Sequence, residues 1–527
     1  MIEVEVHAAL REFLRAHSNY CWPHYLTMAR LVARAMRLGR SASIEAGTFS
    51  SGQFQAALGY LMPLLLWPQA AILVADRRLR SHLQTDEIPK LLAWTQGSIP
   101  REIEVVEGNR WPRENFDGLL LVSHEDWLAD RLGARQHFPA HVPTIVDDLG
   151  ILTSTARRLL SLDIDDRAWS EGLAVAGDRV APARELRAEL VRSLYQHPPN
   201  PYNAYLLDID ERAALREATG LLAGGEGVWS RLKDKLIDPN YFSWAQLDRG
   251  AGGLVLHHSP ASLATVLAEV WAQQPVVAID GAVDTHDRQR DYLADELGLE
   301  DATCVRFNPD RQTAGIRLYL PDRLPLPNTP QYQPRLLDEL HTLIRIATLP
   351  DDEGNSASSA PKSSRAETIP MAIAIGDEPL KQTIGALLAA EFGSRIKVER
   401  EDLNESDILV CGWDFWCDRQ RELPTPQLLA ISTLPLPPLE HPLVAGRVAR
   451  YKQQRQDWFR RYLLPEAMRT LQQAIAPVCA ARGIVALFDS RAIYRSYGKQ
   501  ILRAIGPYSE LRYLESDLFE PARRDAR

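Results

Sequence analysis

Cysteine is scarce in this chain, and what there is does not pair. Cys21, Cys304, Cys411, Cys417 and Cys479 are odd in number, scattered, and contain no C-x-x-C spacing, which argues against a disulfide framework and a zinc site alike. Long apolar runs are missing too. The longest, around Leu61 to Trp67, falls far short of the roughly 20 residues that a membrane-crossing helix needs. No basic-then-apolar signal opens the chain, so a cytoplasmic location and no membrane partner are expected. A basic excess is absent as well: 60 Lys and Arg against 69 Asp and Glu give a net charge of −9, the wrong sign for gripping phosphate backbones by bulk electrostatics. Any nucleic-acid contact must come from local patches. His124 and the His257-His258 pair have no partner at ligand spacing, so no metal ligands are assigned.

With 527 residues, 45% of them hydrophobic, the chain has the material for two to four domains. The stretch from Asp351 to Arg365 is rich in Ser and charge and holds no apolar residue larger than alanine. It reads as a linker within 346–368. Before it, strands are expected at Ser41 to Ile44, Ala70 to Ala75, Thr144 to Asp147 and Pro275 to Ile279. After it, they are expected at Met371 to Ile375, Asp407 to Val410, Leu428 to Ile431 and Ile484 to Phe488. The region from 151 to 248 is mostly helical in pattern and interrupts the first sheet.

Between the first strand and a helix from Phe54 to Leu66 lies Glu45-Ala46-Gly47-Thr48-Phe49-Ser50-Ser51-Gly52-Gln53-Phe54. A phosphate-binding loop, G-x-x-x-x-G-K-[ST], needs a lysine for the β/γ-phosphates and a hydroxyl for Mg²⁺ after its second glycine. Here those positions are Gln53 and Phe54. An amide carries no unit charge, and a phenyl ring cannot ligate a metal that takes oxygen.

Several segments in order resemble the DinG/XPD-type superfamily 2 DNA helicases. Trp22-Pro23-His24-Tyr25-Leu26-Thr27-Met28 is similar to the adenine-reading R-P-x-Q-x-x-M, with Tyr25 at the glutamine. Glu45-Ala46-Gly47-Thr48 resembles the opening of E-A-G-T-G-T-G-K-T. Thr144-Ile145-Val146-Asp147-Asp148 stands at the Walker B strand, with Asp147 for the aspartate that bears on Mg²⁺ and Asp148 for the water-orienting glutamate. Asp280-Gly281-Ala282-Val283 replaces T-S-A-T. Asp414-Phe415-Trp416, the proline-rich Leu434 to Pro442, Leu464-Pro465-Glu466-Ala467, Asp489-Ser490-Arg491 and Tyr497-Gly498-Lys499 follow motifs of the second lobe. The two arginines of its L-x-Q-G-x-G-R-L-I-R fall on Pro477 and Ala480.

The resemblance implies an α/β protein of two RecA-like P-loop NTPase-type lobes with parallel sheets, the first interrupted by a helical insertion. It implies a first lobe at 1–150 plus 249–345, an insertion at 151–248 and a second lobe at 369–520. The site it carries over is a degenerate phosphate loop (Gly47, Thr48, Ser50, Ser51, Gly52, Gln53) and a degenerate Walker B pair (Asp147, Asp148). Lysine, hydroxyl, glutamate and arginines are lost together, so the expectation is a fold kept without hydrolysis, acting on nucleic acid or a protein partner. ATP and Mg²⁺ enter only if the site is rebuilt, for example with Arg482 or Arg491. Some relatives hold an iron–sulfur cluster on four cysteines of the first lobe; from Trp22 to Thr303 there is no cysteine, which excludes that pattern. Arg447, Arg450, Lys452 and Arg455, beside Tyr451, Trp458 and Phe459, fit either a single-strand-binding face or a solvated helix.

Overall fold

The computed structural model describes the chain except residues 18–19, 21, 48–55, 96–102, 134–136, 225–226, 251, 282–288, 308–314, 349–369, 405, 421, 512 and 514–527, and the side chains of 95 and 289–291. The expected linker at 351–365 lies outside the described residues.

Among the described residues, two seven-stranded sheets organise the molecule. The first runs, edge to edge, Thr303–Arg306, Ala42–Glu45, Val276–Asp280, Thr144–Asp147, Ala71–Val74, Leu119–Val122 and Val105–Glu107, all parallel. Its inner strands are near-continuous apolar runs such as Ala-Ile-Leu-Val and Leu-Leu-Leu-Val, because helices cover both faces of a parallel sheet. Alternation still sorts the side chains. Leu73, Leu119, Leu121 and Ile145 enter one core with the helices Ile2–Ala16, Tyr25–Leu38 and Ala57–Leu66. Ile72, Val74, Leu120, Val122 and Val146 enter the core on the opposite face.

The second sheet has the order Ile396–Val398, Ile408–Cys411, Met371–Ala374, Leu428–Ile431, Ile484–Leu487, Ile316–Tyr319 and Tyr508–Leu511, again all parallel. Ile316–Tyr319 lies between two C-terminal strands, and the helix Tyr332–Thr348 packs Leu336, Leu340 and Leu343 into the core beneath this sheet. Residues 316–348 therefore belong to the second lobe, which corrects the expected boundary at 345. Ile316–Tyr319 is too short to declare its sheet; the pairing is settled by which neighbouring backbone it can satisfy.

The region read as helical contains the helices Asp166–Val175, Val180–Gln196, Ile209–Leu222 and Val228–Lys235. It also holds a four-stranded antiparallel sheet, Leu162–Ile164, Gly253–Pro260, Tyr241–Asp248 and Ala204–Leu206. Its longest strands form a hairpin that carries this unit to Pro260, beyond the expected end at 248. Phe242 of this sheet packs against the helix Pro442–Gln453 of the second lobe at Gly446, where an added Cβ would stand 2.4 Å from the ring.

Candidate functional site: the cleft between the lobes

The carboxyl ends of parallel strands are where such sheets present side chains to a ligand. Three carboxylates sit there on adjacent strands, since Glu45 is in register with Asp280 and Asp147 with Ile279. Gly47, next along the chain, has a left-handed φ of 63° that favours glycine. Thr48, Ser50, Ser51, Gly52 and Gln53 lie outside the described residues, as do Ala282 and Val283.

Each carboxylate is engaged by the protein itself. Arg306 Nε donates to Glu45 at 2.8 Å. Asp147 accepts from the Tyr60 hydroxyl at 3.1 Å, and Tyr60 is fully buried on the helix Ala57–Leu66. Burial, followed by the charge of Asp148, pushes the Asp147 carboxyl up to about 8, against the opposing pull of the Tyr60 bond. A carboxyl at that value keeps its proton at neutral pH and is a weak seat for a hard divalent ion.

Asp148 takes a left-handed backbone, φ 63°, and its side chain accepts from the Ile151 amide at 3.0 Å, capping the helix Leu149–Leu160. The residue in the place of the water-orienting glutamate is thus used to turn the chain out of the sheet and start a helix, a cap contributing about 1 kcal/mol. His124 is buried beneath this turn, with Nε2 2.6 Å from the Asp147 carbonyl oxygen. A carbonyl only accepts, so Nε2 carries the hydrogen, and burial lowers the imidazole's pKa. That bond holds the turn at the end of the strand Thr144–Asp147.

Asp280 reaches the other lobe. Its carboxylate meets Arg469 at 2.7 Å, and Arg469 comes from the second-lobe helix Leu464–Ala480 with its guanidinium 5.3 Å from the Tyr292 ring centre. Burial opposes that charge, yet Asp280 and Tyr292 lift the arginine's pKa above the usual range. Arg491, considered as a rescue for the lost arginines, is instead forked onto Asp489 at 2.9 and 2.6 Å. Arg469 was missed in the sequence, although it is the one basic residue in the helix that carries Pro477 and Ala480.

Where the adenine-reading segment is expected, aromatic rings pack on one another. His24 stacks on Phe307 at 4.9 Å and Trp22 meets Tyr25 edge-on at 5.2 Å; Tyr25, at the glutamine position, is fully buried.

The basic candidates do not form one surface. Arg447 is held by Glu296 at 2.9 Å, with its guanidinium 3.8 Å from the Tyr462 ring centre. Arg450 is partly buried, whereas Lys452 and Arg455 are exposed, the Lys452 ammonium lying 5.5 Å from the Trp458 ring centre. Nearby, a groove of about 900 Å³ in the second lobe is lined by Trp458, Phe459, Tyr497, Arg460, Arg491 and Arg495. Among the described residues, no helix is long and apolar enough to cross a membrane.

Comparison with known proteins gives a consistent picture. Residues 425–508 match the helicase C-terminal domain family. The ATP-dependent DNA helicase YoaA of Haemophilus influenzae is 27% identical over 137 residues, 25% of this chain and 21% of the relative's own length. Among solved structures, S. tokodaii Xpd4 is similar with a TM-score of 0.58 and 12% identity, covering 93% of this chain and 99% of that one. An apo XPD structure has a TM-score of 0.56 and 12% identity, covering 92% and 100%. At such identity the structural likeness speaks for the fold, which is that of the XPD structures, and the family match ties residues 425–508 to the helicase C-terminal domain: in these respects the chain is similar to the DinG/XPD type of superfamily 2 helicases.

Proposed function

We propose that this protein is a helicase relative whose cleft does not turn over ATP and which works by binding nucleic acid, with a protein partner as the alternative. The observation that carries this is the state of Asp147 and Asp148. One is hydrogen-bonded to Tyr60 and holds its proton at neutral pH; the other caps a helix. Phosphoryl transfer rests on charge placed against the phosphates and on a positioned water, and an arginine finger alone is worth roughly 10³–10⁵ in rate. The substitution of Gln53 for the loop lysine supports the same reading.

Nucleic acid is favoured as partner by the kinship with YoaA, a DNA helicase by name, and by the second-lobe groove. That groove offers the combination that single strands require, with Trp458 and Tyr497 for stacking and Arg460 and Arg495 for phosphates.

One observation favours a second reading, an active motor with a rebuilt site: Arg469 brings a second-lobe guanidinium to the cleft. ATP hydrolysis with and without single-stranded DNA, beside Asp147→Ala, separates the two. Equal background in both proteins is expected; DNA-stimulated turnover that disappears in Asp147→Ala would establish the motor instead.

A further inference from the structure

At three places along the junction a carboxylate of the first lobe faces a guanidinium of the second. Asp280 pairs with Arg469 at 2.7 Å, Asp295 with Arg461 at 2.8 Å and Glu296 with Arg447 at 2.9 Å. The three acids come from the end of the strand Val276–Asp280 and from the helix Gln289–Leu297. The three arginines come from three consecutive second-lobe elements, Pro442–Gln453, Phe459–Leu463 and Leu464–Ala480. Glu296, with a side chain 4% exposed, also accepts from Arg157 on the helix leading into the insertion, so one buried carboxylate ties three parts of the molecule. Across the far rim, Arg78 meets Glu422 at 2.6 Å.

The Glu296–Arg447 and Asp280–Arg469 pairs are largely buried, whereas Asp295–Arg461 is about one-third exposed, and buried pairs are screened far less by salt than surface ones. A ligand shifts a two-state equilibrium only by its differential affinity for the two states. A polyphosphate can draw two lobes together when second-lobe cations are left for it to neutralise. Here Arg469, the second-lobe cation at the cleft, already has a carboxylate at contact distance. A phosphate would have to displace Asp280 to reach it.

We infer that the lobes are locked shut by this row of ion pairs, with the Asp280 carboxylate standing where a nucleotide's phosphate would otherwise bridge to Arg469. Lobe closure is then a fixed property of the chain and not a nucleotide-driven stroke. This deepens the reading of a cleft without turnover and rests on it.

The test is energy transfer between dyes placed through non-natural amino acids at Val4 on the first lobe and Leu387 on the second, both exposed, in the full chain. High transfer without nucleotide, unchanged by MgATP, is expected. Transfer should be lost in Asp280→Asn combined with Asp295→Asn and Glu296→Gln. Because neutralising buried pairs endangers folding, the partly exposed Asp295–Arg461 pair provides a second variant: Asp295→Arg alone lowers transfer, and adding Arg461→Asp restores it. Low transfer in the free protein that rises with MgATP would overturn the lock, as would wild-type transfer in the triple variant. Hydrolysis read in the same samples keeps the two proposals apart, since turnover with transfer unmoved by MgATP sinks the reading of an inactive cleft and supports the lock.

Discussion

Replacing Asp147 with asparagine should make this protein more stable, and the gain should depend on pH. An ordinary aspartate titrates at about 3.9, whereas Asp147 in the folded protein is pushed up to about 8 by burial and by Asp148. The folded state therefore binds a proton that the unfolded chain has released, and stability falls as pH rises from about 4 to about 8, levelling off beyond. At pH 7, carrying that proton costs up to about 4 kcal/mol at about 1.36 kcal/mol per unit. The side chain is only partly buried, and water and relaxation reduce the figure to about 1–3 kcal/mol.

Asparagine is neutral throughout, matches the shape and still accepts from Tyr60. Its variant should melt about 2–10 °C higher at pH 7 in the transition that includes the first lobe. Thermal melts of both proteins at pH 5, 7 and 9 check this: the difference should be small at pH 5 and large at 7 and 9. An asparagine variant that is equal or less stable at pH 7, or a gain that does not move with pH, refutes the reasoning. Magnesium gives the converse control, because a working metal site would stabilise the wild type on adding MgATP and lose that effect in Asp147→Asn.

Three further outcomes are expected. Asp148→Ala loses the cap and forces a Cβ residue without a local hydrogen bond into the left-handed region, so it should cost about 1–3 kcal/mol in urea or thermal melts; Asp148→Gly, which accepts that backbone, should cost less. Gly446→Ala drives a methyl into the Phe242 ring, an overpacking expected to cost about 1–3 kcal/mol and to raise hydrogen exchange at the hairpin Tyr241–Pro260 more than in the first sheet. Trp458→Ala should weaken retention of oligo(dT) by about 1–3 kcal/mol, the value of one stacked base; unchanged retention would remove the groove as the strand's seat.

The sequence was most readable where one physical requirement dominates. Thr144–Asp147 is buried up to its last residue and Leu428–Ile431 throughout, and a short run whose inner positions are all apolar on both faces admits few other fates than an inner parallel strand. The hairpin Tyr241–Asp248 with Gly253–Pro260 was harder, since the polar Ser243 and His258 stand on its buried face and break its alternation. The two meet across the strands, Ser243 Oγ and His258 Nδ1 lying 2.9 Å apart, and His258 Nε2 reaches the Lys235 carbonyl oxygen at 3.3 Å. The glycine-rich turn at 250–253 was the available signal.

At the site, identity was legible and occupation was not. Asp147 and Asp148 could be placed at a strand end, but the Tyr60 bond spans 87 positions and the Arg469 pair joins two lobes, and neither distance is written in a local pattern. Arg447 shows the opposite error. Its basic neighbours suggested a strand-binding or a solvated face, whereas its partner, Glu296, lies 151 positions away.

Residues 351–365 look like a joint between halves, yet both of their flanks belong to one body. The helix Tyr332–Thr348 before them and the strand Met371–Ala374 after them pack into the same second-lobe core. The strand Ile316–Tyr319, on the N-terminal side, is clasped between Ile484–Leu487 and Tyr508–Leu511. A protease nick anywhere in 351–365 would therefore yield two polypeptides that co-purify, because the smaller one would leave with only part of a sheet. Expressed separately, residues 370–527 would lack an internal strand and expose the backbone of both its neighbours. Dissecting this protein into halves calls for a cut before residue 316, where the chain passes from one sheet to the other.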